Sequence, residues 1–436
     1  MNLFDTIVAP ITGTEPAAVA VVRVSGQQSY AVAAKVFAPW HEPIEARKAL
    51  YGTFAHGDDG IALPFAEGHS YTGEATVEFS VHGSRASVRS LVDACLAAGA
   101  RLAEPGEFTR RSFMNGRLDL TQAEGVRETI ESETDAQLRL ANALRGGDLK
   151  REVAALRERT LQVAAGIEAS VDFPDEIGEF DRDAAISTLV GVRESVRALL
   201  ATAKLGAIVR TGYRIAILGQ PNAGKSSLLN ALMGTDRAIV TDIPGTTRDT
   251  LEERLDLGGV PCVVTDTAGL RDSHDPIERM GIERSHRAEA SADLVWYVVD
   301  AAKGLDDEDR NHLARLGERA WLILTKCDLA KGDGRGFHVS AKTGAGLEAL
   351  RRAVAERAGL GSTEGRWLAI NDRHADHLRE ADARLAEAVE TLDSGLPVDL
   401  ASIHLQSAAM ELGTITGETA TLDLIDRVFR DFCVGK

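Results

Sequence analysis

The stretch Gly219-Gln220-Pro221-Asn222-Ala223-Gly224-Lys225-Ser226-Ser227 has the spacing G-x-x-x-x-G-K-S of a phosphate-binding loop. It follows the apolar run 215–218 and precedes the apolar segment 228–232, which predicts a buried strand, a loop and a helix. The two bounding glycines allow backbone N–H groups to face phosphate oxygens, and the helix start adds the positive end of its dipole. We expect Lys225 to reach the outer phosphates and the Ser226 hydroxyl to hold Mg²⁺. The predicted nucleotide contacts in this stretch are Asn222, Ala223, Gly224, Lys225, Ser226 and Ser227.

Two later segments indicate that the base is guanine. Thr325-Lys326-Cys327-Asp328 and Ser340-Ala341-Lys342 each follow a strand-like run and resemble the N-K-x-D and S-A-K boxes of GTPases. The Asp328 carboxylate can accept from both guanine N–H groups, and adenine would leave that carboxylate unpaired. Thr325 stands where Asn is usual, so one amide contact is lost and we expect weaker nucleotide binding. The predicted contacts are Thr325, Lys326, Asp328, Ser340, Ala341 and Lys342.

The residues that act on the γ-phosphate are predicted in two switch segments. Asp266-Thr267-Ala268-Gly269 is the box that senses this phosphate, with Asp266 near the metal. Leu270 follows, where Ras-like GTPases carry a Gln that orients water, so another group must position the water. Glu278 can reach that water, or is one acid among many in this region. In the first switch, 241–249, Thr247 can complete the Mg²⁺ coordination. Asn222 can hold a monovalent cation that stabilises transition-state charge.

Composition narrows the class of protein. The 436 residues, 44% hydrophobic and 26% charged, are ordinary for a globular chain of two to four domains. The net charge of −17 argues against coating nucleic acid by bulk electrostatics, and leaves open a local basic patch or RNA bound through a partner. Cys95, Cys262, Cys327 and Cys433 lie far apart without C-x-x-C spacing, which argues against zinc and disulfides. We find no membrane-length apolar run and no signal or transit pattern, and we expect a cytoplasmic protein.

The predicted fold is multidomain, α/β and α. Residues 1–117 form an α+β domain, and residues 211–360 form a Ras-like P-loop GTPase domain with a mostly parallel sheet. Residues 118–210 and 361–436 show apolar residues at helical spacing. We expect these two helical blocks to pack together as one discontinuous bundle into which the nucleotide domain is inserted.

Local patterns predict some element ends. Thr121-Gln122-Ala123-Glu124 reads as a capping box that starts the first bundle helix, and Gly146-Gly147 separates it from the second. Phe173-Pro174-Asp175-Glu176 reads as a turn. In the α+β domain, Arg23 and Glu78 occupy strand positions, where each alone is expected on a solvated face.

From end to end the chain resembles the MnmE (TrmE) family of tRNA modification GTPases. The N-terminal motifs carrying this resemblance are Arg23-Val24-Ser25-Gly26, Ser70-Tyr71-Thr72-Gly73-Glu74, Pro105-Gly106-Glu107-Phe108 and Asn115-Gly116-Arg117-Leu118-Asp119-Leu120. Later motifs are Asp172-Phe173-Pro174-Asp175-Glu176, Gly245-Thr246-Thr247-Arg248-Asp249, Asp266-Thr267-Ala268-Gly269-Leu270-Arg271 and the terminal Phe432-Cys433-Val434-Gly435-Lys436.

The resemblance implies roles for individual residues. Ser226 and Thr247 match the Mg²⁺ ligands, and Glu278 matches the residue that activates water. The potassium site corresponds to Asn222, Thr241, Ile243 and Thr246, which with Thr247, Asp266, Thr267, Ala268 and Gly269 complete the GTP-binding set. Folate contacts correspond to Arg23, Glu78, Arg117 and the terminal Lys436. Cys433 matches a cysteine needed for the modification reaction.

The resemblance also implies cofactors and partners. The family uses GTP, Mg²⁺, K⁺ and a tetrahydrofolate derivative, 5-formyl or methylene, as a one-carbon donor. Its N-terminal domain mediates homodimerisation, and an MnmG-type flavoprotein carrying FAD joins it in a heterotetramer or larger assembly. Together they place an aminomethyl-type or carboxymethylaminomethyl-type group on carbon 5 of the tRNA wobble uridine.

Two other functions share the nucleotide motifs. A ribosome-assembly GTPase of the Era type would be expected to carry a basic KH-type RNA module, and no such GXXG-containing domain follows here. A non-catalytic guanine-nucleotide switch gains support from Leu270 and Thr325. The modification GTPase accounts for more of the motifs than either alternative.

Overall fold

The computed structural model of this chain describes residues 5–13, 15–235, 252–266, 288–330, 334–360, 368–430 and 432–435. The chain divides into two units. The first consists of Met1–Arg127, Leu144–Arg193 and Glu380–Lys436, and the second of Glu128–Ala143 and Glu194–Arg379.

The first unit contains a seven-stranded sheet with the order β3-β4-β5-β6-β2-β1-β7. Its strands are β1 (Ile7–Pro10), β2 (Ala17–Ser25), β3 (Phe37–Ala38), β4 (Leu50–Phe54), β5 (Asp59–Phe65), β6 (Thr76–Gly83) and β7 (Arg101–Leu102). Neighbours are antiparallel except for the parallel pair β1–β7. The β2–β6 register places Arg23 opposite Glu78. Opposed positions on adjacent strands bring side chains into contact, so this register makes the two residues neighbours.

The first 211 residues also contain helices, which alternate with the strands at first and then follow one another directly. They are α1 (Ser29–Val36), α2 (Arg85–Ala97), α3 (Glu107–Met114), α4 (Leu120–Glu131), α5 (Asp135–Arg145), α6 (Asp148–Asp172), α7 (Pro174–Ile177), α8 (Arg182–Ala201) and α9 (Ala203–Thr211). The predicted break at Gly146-Gly147 is confirmed between α5 and α6, but the single helix expected before it is wrong, because the chain forms two helices there, α4 and α5. The predicted turn at 173–176 is wrong in detail, because the one-turn helix α7 begins at Pro174, a residue well suited to the first position of a helix.

The second unit contains a six-stranded sheet with the order β13-β12-β11-β8-β10-β9. Its strands are β8 (Tyr213–Leu218), β9 (Glu252–Leu257), β10 (Val260–Asp266), β11 (Leu294–Asp300), β12 (Ala320–Thr325) and β13 (Phe337–His338), with helices α10 (Lys225–Thr235), α11 (Asp307–Leu316) and α12 (Leu347–Arg357). All pairs are parallel except the edge pair β9–β10. The expected mostly parallel sheet is confirmed, and its carboxyl edge is where ligands bind in such folds.

The segments after the nucleotide domain are again helical, with α13 (Asp372–Asp393), α14 (Val398–Thr416) and α15 (Leu422–Arg430). Within the first unit, α14 packs along α6. Arg193 of α8 forms an ion pair with Asp382 of α13 at 2.8 Å. Helices from before and after the nucleotide domain therefore pack together, as expected for a discontinuous bundle. Among the described residues, no helix is long and apolar enough to cross a membrane.

The start of α4 differs from the predicted capping box. The Asp119 carboxylate accepts from the backbone N–H of Gln122 at 3.0 Å and from the Thr121 hydroxyl at 2.6 Å. The Gln122 side chain accepts in return from the backbone N–H of Asp119 at 3.2 Å. The box is therefore Asp119–Gln122, and Thr121 lies inside the helix. An aspartate two residues upstream is an equally good cap, and it satisfies an earlier N–H group.

The chain enters and leaves the nucleotide domain at adjacent points in the second unit. Arg210, near the end of α9, donates to the carbonyl oxygens of Ala369 and Ile370 at 3.1 and 2.9 Å. Its guanidinium also pairs with Glu128 at 2.6 Å. Gly206 permits this approach, because an added Cβ would lie only 2.3 Å from the Ile370 carbonyl oxygen. The backbone contact at Gly206 thus holds the two connections side by side.

We predict that Gly206→Ala lowers the free energy of unfolding by roughly 1–3 kcal/mol, because the new methyl group must displace backbone. The matched control is Gly234→Ala in α10, where an added Cβ meets nothing within 4 Å. That control should be neutral or stabilise by up to about 1 kcal/mol. Urea denaturation of both variants measures the difference, and equal midpoints would contradict a tight backbone contact at Gly206.

Candidate functional site

The phosphate-binding loop lies between β8 and α10, at the carboxyl edge of the second sheet. Gly219 has φ +141°, and a Cβ there would lie 2.1 Å from the carbonyl oxygen of Val298 on β11, so glycine is required for this approach. Asn222 adopts φ 62°, which is uncommon for a residue with a side chain. The Lys225 ammonium donates to the carbonyl oxygens of Gly219 and Gln220, each at 2.8 Å. The predicted phosphate-binding lysine is therefore held directly over the loop.

The structure brings together Ser226 and Asp266, the described residues predicted to lie at the metal. The Ser226 hydroxyl, at the start of α10, donates to the Asp266 carboxylate at the end of β10 over 2.8 Å. Hydroxyl and carboxylate oxygens are the ligand types that Mg²⁺ prefers. The donor set therefore fits a magnesium ion held beside the loop.

Consecutive residues at the end of β12 hold the loop from its other side. The Thr325 hydroxyl donates to the carbonyl oxygens of Ala223 and, at 3.2 Å, of Val299. The Lys326 ammonium donates to the Asn222 carbonyl oxygen at 3.2 Å and to the Asp300 carboxylate at 2.7 Å. The hydrogen bond from Lys326 lowers the pKa of Asp300.

This arrangement refines the expectation for Thr325. A threonine hydroxyl carries one proton, and here that proton is directed to the loop carbonyls instead of the base. The side chain is buried, 3% exposed, and the hydrogen-bond acceptor it would leave behind is buried as well. Thr325 thus braces the loop, and its one hydroxyl proton is committed to that role.

The two guanine boxes meet through their polar side chains. The Ser340 hydroxyl donates to Asp328 Oδ1 at 2.6 Å and accepts from the backbone N–H of Thr343 at 3.2 Å. The hydrogen bond from Ser340 lowers the pKa of the Asp328 carboxyl, with a smaller contribution from the Lys342 charge. Asp328 is thereby kept ionised and oriented, as acceptance from guanine N–H groups requires.

Further hydrogen bonds that hold the loop are not predicted by the sequence. The Gln220 side-chain amide donates to Asp306 at 2.5 Å and to Asp309 at 3.3 Å, at the start of α11. The buried Asp309 also accepts from the Tyr297 hydroxyl at 2.9 Å. The contacts of Gln220 join residues more than eighty positions apart in the chain, and no local pattern indicates them.

Several predicted residues lie outside the described part of the chain. They are Thr241, Ile243, Thr246, Thr247, Thr267, Ala268, Gly269, Glu278 and Lys436. Their predicted roles remain predictions.

A second cluster forms in the first unit around Arg23. Two guanidinium nitrogens of Arg23 contact the same oxygen of Glu78, Oε1, at 2.7 and 2.8 Å. The guanidinium also lies 4.9 Å from the ring centre of Tyr71 and 5.3 Å from that of Phe108. The expectation of a solvated face is therefore wrong for Arg23, whose side chain is only 11% exposed, because aromatic residues distant in sequence cover it.

The loop 68–73 connects Arg117 to this cluster. Arg117 donates to the Gly68 carbonyl oxygen at 3.1 Å, and its Cγ lies 3.2 Å from the position of a Cβ on Gly73. Tyr71 lies between them in the chain and exchanges a hydrogen bond with Thr109 at 2.9 Å. Burial raises the pKa of Tyr71, so its hydroxyl stays protonated near neutral pH. Tyr71 and Phe108 had no predicted role, although both lie in quoted motifs.

The C-terminal tail lies against the same region of the first unit. The Cys433 carbonyl oxygen accepts from the backbone N–H of Gly106 at 3.2 Å, two residues before Phe108. A Cβ on Gly435 would lie 2.2 Å from the Pro10 carbonyl oxygen. Arg110 anchors the preceding helix α15 through Asp426 at 2.7 Å. The Cys433 side chain is exposed beside these contacts.

Comparisons with known proteins agree along the whole chain. Residues 6–117 match the family described as the GTP-binding protein TrmE N-terminus, and residues 120–433 match the MnmE helical domain. The tRNA modification GTPase MnmE of Symbiobacterium thermophilum is 42% identical over 455 residues, covering 99% of each chain. The same-named protein of Moorella thermoacetica is 42% identical over 465 residues, covering 100% of each. Among solved structures, the G domain of the T. maritima FeoB iron transporter aligns with 33% of this chain and 97% of that chain, at 26% identity and a TM-score of 0.24.

We predict that Thr325→Val, which keeps the shape but removes the hydroxyl, weakens binding of GDP and GTP by roughly tenfold, because the Ala223 carbonyl loses its donor. Thr325→Asn should bind GDP about as well as the natural chain or up to about fivefold more tightly, since an amide offers two protons. Fluorescent GDP titration measures both. Unchanged affinity in Thr325→Val would show that the brace does not set the loop.

Proposed function

The chain belongs to the MnmE family of tRNA modification GTPases, and from this we propose that it couples GTP hydrolysis to substitution at carbon 5 of the wobble uridine. The proposal rests on sequence similarity to that family over the whole chain, together with the guanine-binding and phosphate-binding motifs that the fold brings together. As a member of the family, the chain hydrolyses GTP to GDP and phosphate and acts in tRNA modification.

For the GTPase step, we assign roles to the described residues from their positions. Lys225 would exchange its loop carbonyl partners for outer phosphate oxygens, and Asp328 would accept from the guanine N–H groups. Ser226 would hold Mg²⁺, with Asp266 beside it, and the bound ion would neutralise charge on the phosphates. We propose Thr247 as the second Mg²⁺ ligand and Glu278 as the group that positions water, since Leu270 has no polar atom in its side chain.

We propose that potassium assists hydrolysis at the loop. Asn222 lies in the loop with φ 62°, and Lys326 holds its carbonyl oxygen. With its backbone held in this way, the Asn222 side-chain oxygen can contribute to a monovalent cation site, which would also use Thr241, Ile243 and Thr246. A cation there would stabilise charge developing on the phosphates.

The cluster around Arg23 supports a site for a tetrahydrofolate derivative, 5-formyl or methylene. The half-buried ring of Tyr71 offers a flat aromatic surface, and Arg23 engages only Oε1 of Glu78. The second carboxylate oxygen can then accept from the N–H groups of a pterin. Arg117 and Lys436 would supply positive charge for the carboxylates of such a ligand. The docked tail places the exposed Cys433 in the same region, where we propose that it takes part in the modification reaction.

Partners complete the proposed function. We propose that the chain acts as a homodimer with an FAD-carrying flavoprotein, in a heterotetramer or larger assembly. The net charge of −17 supports a partner that supplies cations, because tRNA phosphates must be neutralised for binding. We also propose that the chain is divided into segments of the three domains at residues 1–117, 118–210, 211–360 and 361–436.

The decisive test is mass spectrometry of wobble nucleosides in tRNA from cells lacking this protein. We predict that a 5-substituted uridine disappears and returns with the natural protein, but not with Lys225→Ala, because that variant cannot bind the outer phosphates. An unchanged nucleoside profile would overturn the modification proposal and leave a GTPase of unknown output. Cys433→Ser serves as the second arm: it should hydrolyse GTP normally and fail to restore the nucleoside.

We predict that GTP hydrolysis is roughly tenfold or more faster in potassium than in sodium, since a contact to transition-state charge is worth about 10²–10³ in kcat. Asn222→Ala should remove most of this difference while retaining measurable GDP affinity. Phosphate release in each salt, at matched ionic strength, gives the comparison. Equal rates of the natural protein in the two salts would contradict the cation site.

A further inference from the structure

A groove in the first unit is not used by either site described above. It runs between α6 and α14 and encloses about 260 Å³. Its apolar lining includes Val171 and Ile403, and its polar lining includes Glu168, Asp172 and Asp399. We call it the α6–α14 groove. The motif Asp172-Phe173-Pro174-Asp175-Glu176, which has no assigned role, begins at its rim.

The walls of the groove are joined to each other. Oε1 of Glu168 on α6 accepts from the side-chain amide of Gln406 at 2.8 Å and from the Ser402 hydroxyl at 3.3 Å, both on α14. The two helices also pack closely along their length. The groove is therefore a preformed feature of the helix pair, so a ligand would not have to order it on binding.

Large apolar side chains are exposed at this groove and beside it. Val171 is 50% exposed and Ile403 63%, while the neighbouring Phe173 and Leu400 are 55% and 43% exposed. Contiguous exposed apolar side chains rimmed by polar groups are characteristic of protein interaction sites. An apolar anchor inserted here would gain burial on both helix faces.

The rim is strongly negative. Glu168, Asp172, Asp175, Glu176 and Asp399 are all exposed carboxylates at or next to the groove. In the described part of the chain, none of these carboxylates has a lysine, arginine or histidine ion-pair partner. A complementary partner must therefore bring positive charge around an apolar centre.

The negative charge of the rim distinguishes between the possible ligands of the groove. RNA phosphates would be repelled by the rim. A second copy of the same face would oppose carboxylates to carboxylates, since a two-fold interface pairs like patches. A protein segment with apolar side chains flanked by lysine or arginine satisfies both the groove and its rim.

We propose that the α6–α14 groove binds a basic, amphipathic segment of the flavoprotein partner. This inference rests on the proposed function, which assigns that partner. An anionic tRNA and a chain of net charge −17 favour a cationic third component, and the groove offers a complementary surface for it.

The test is binding of the purified, FAD-loaded flavoprotein to the full-length chain by isothermal titration. Ile403→Arg places a cation among the apolar contacts, and we expect at least about tenfold weaker binding. The matched control is Val190→Arg on α8, a β-branched residue that is 40% exposed and does not line the groove. It should bind the flavoprotein as the natural chain does.

A second variant tests the charge. Asp172→Asn combined with Asp399→Asn should weaken binding about threefold to tenfold at low salt, and should reduce its salt dependence. The thermal midpoint and GTP hydrolysis rate of each variant alone should match the natural chain. These readouts show that the fold is intact.

The outcomes separate the two proposals. If the natural chain binds the flavoprotein and Ile403→Arg binds equally well, the groove assignment is overturned while the partnership stands. If the natural chain does not bind it, the assigned partner and the groove assignment both fail. A change in the oligomeric state of Ile403→Arg, measured by sedimentation without the flavoprotein, would instead assign the groove to contacts between copies.

Discussion

A loop can bind phosphate only while its carbonyl groups are held away from the ligand, because its N–H groups then face the phosphate oxygens. In this chain, side chains of the nucleotide domain hold the carbonyls of residues 219, 220, 222 and 223: Lys225 from within the loop, and Thr325 and Lys326 from the end of β12. In the proposed site, Lys225 would exchange its loop carbonyl partners for outer phosphate oxygens on nucleotide binding. In the proposed site the guanine box therefore has two functions: Thr325 and Lys326 brace the loop, and Asp328 would select the base.

The sequence predicts this site well where spacing is fixed locally, and poorly where contacts are distant. The G-K-S spacing leaves little freedom for Lys225 and Ser226, and their positions at the start of α10 agree with it. The acceptor of the Thr325 proton depends on how β12 packs beside the loop, which no local pattern specifies. For the same reason Arg23 looks like a surface residue in its strand, although Tyr71 and Phe108 cover it in the fold.

The apolar periodicity predicts the helices of the bundle but not the contacts between them. Apolar spacing reveals that a segment is helical and which face is buried, but it does not specify the partner of that face. The pairing of α6 with α14 and the close approach at Gly206 both join segments separated by the nucleotide domain. The capping box lies two residues earlier than predicted. Asp119 and Thr121 can both cap a helix, and the backbone conformation determines which of them does so.

The distribution of positive charge is consistent with a division of labour in the proposed complex. Arg23 pairs with Glu78 and lies over two aromatic rings, so its guanidinium is largely shielded from solvent. Lys225 and Lys326 are committed to the phosphate-binding loop. Cations held in this way serve compact anionic ligands, since an RNA backbone needs charges spread along an open surface. In the proposed complex, the chain would therefore supply nucleotide hydrolysis and one-carbon chemistry, and its partner would make most of the RNA contacts.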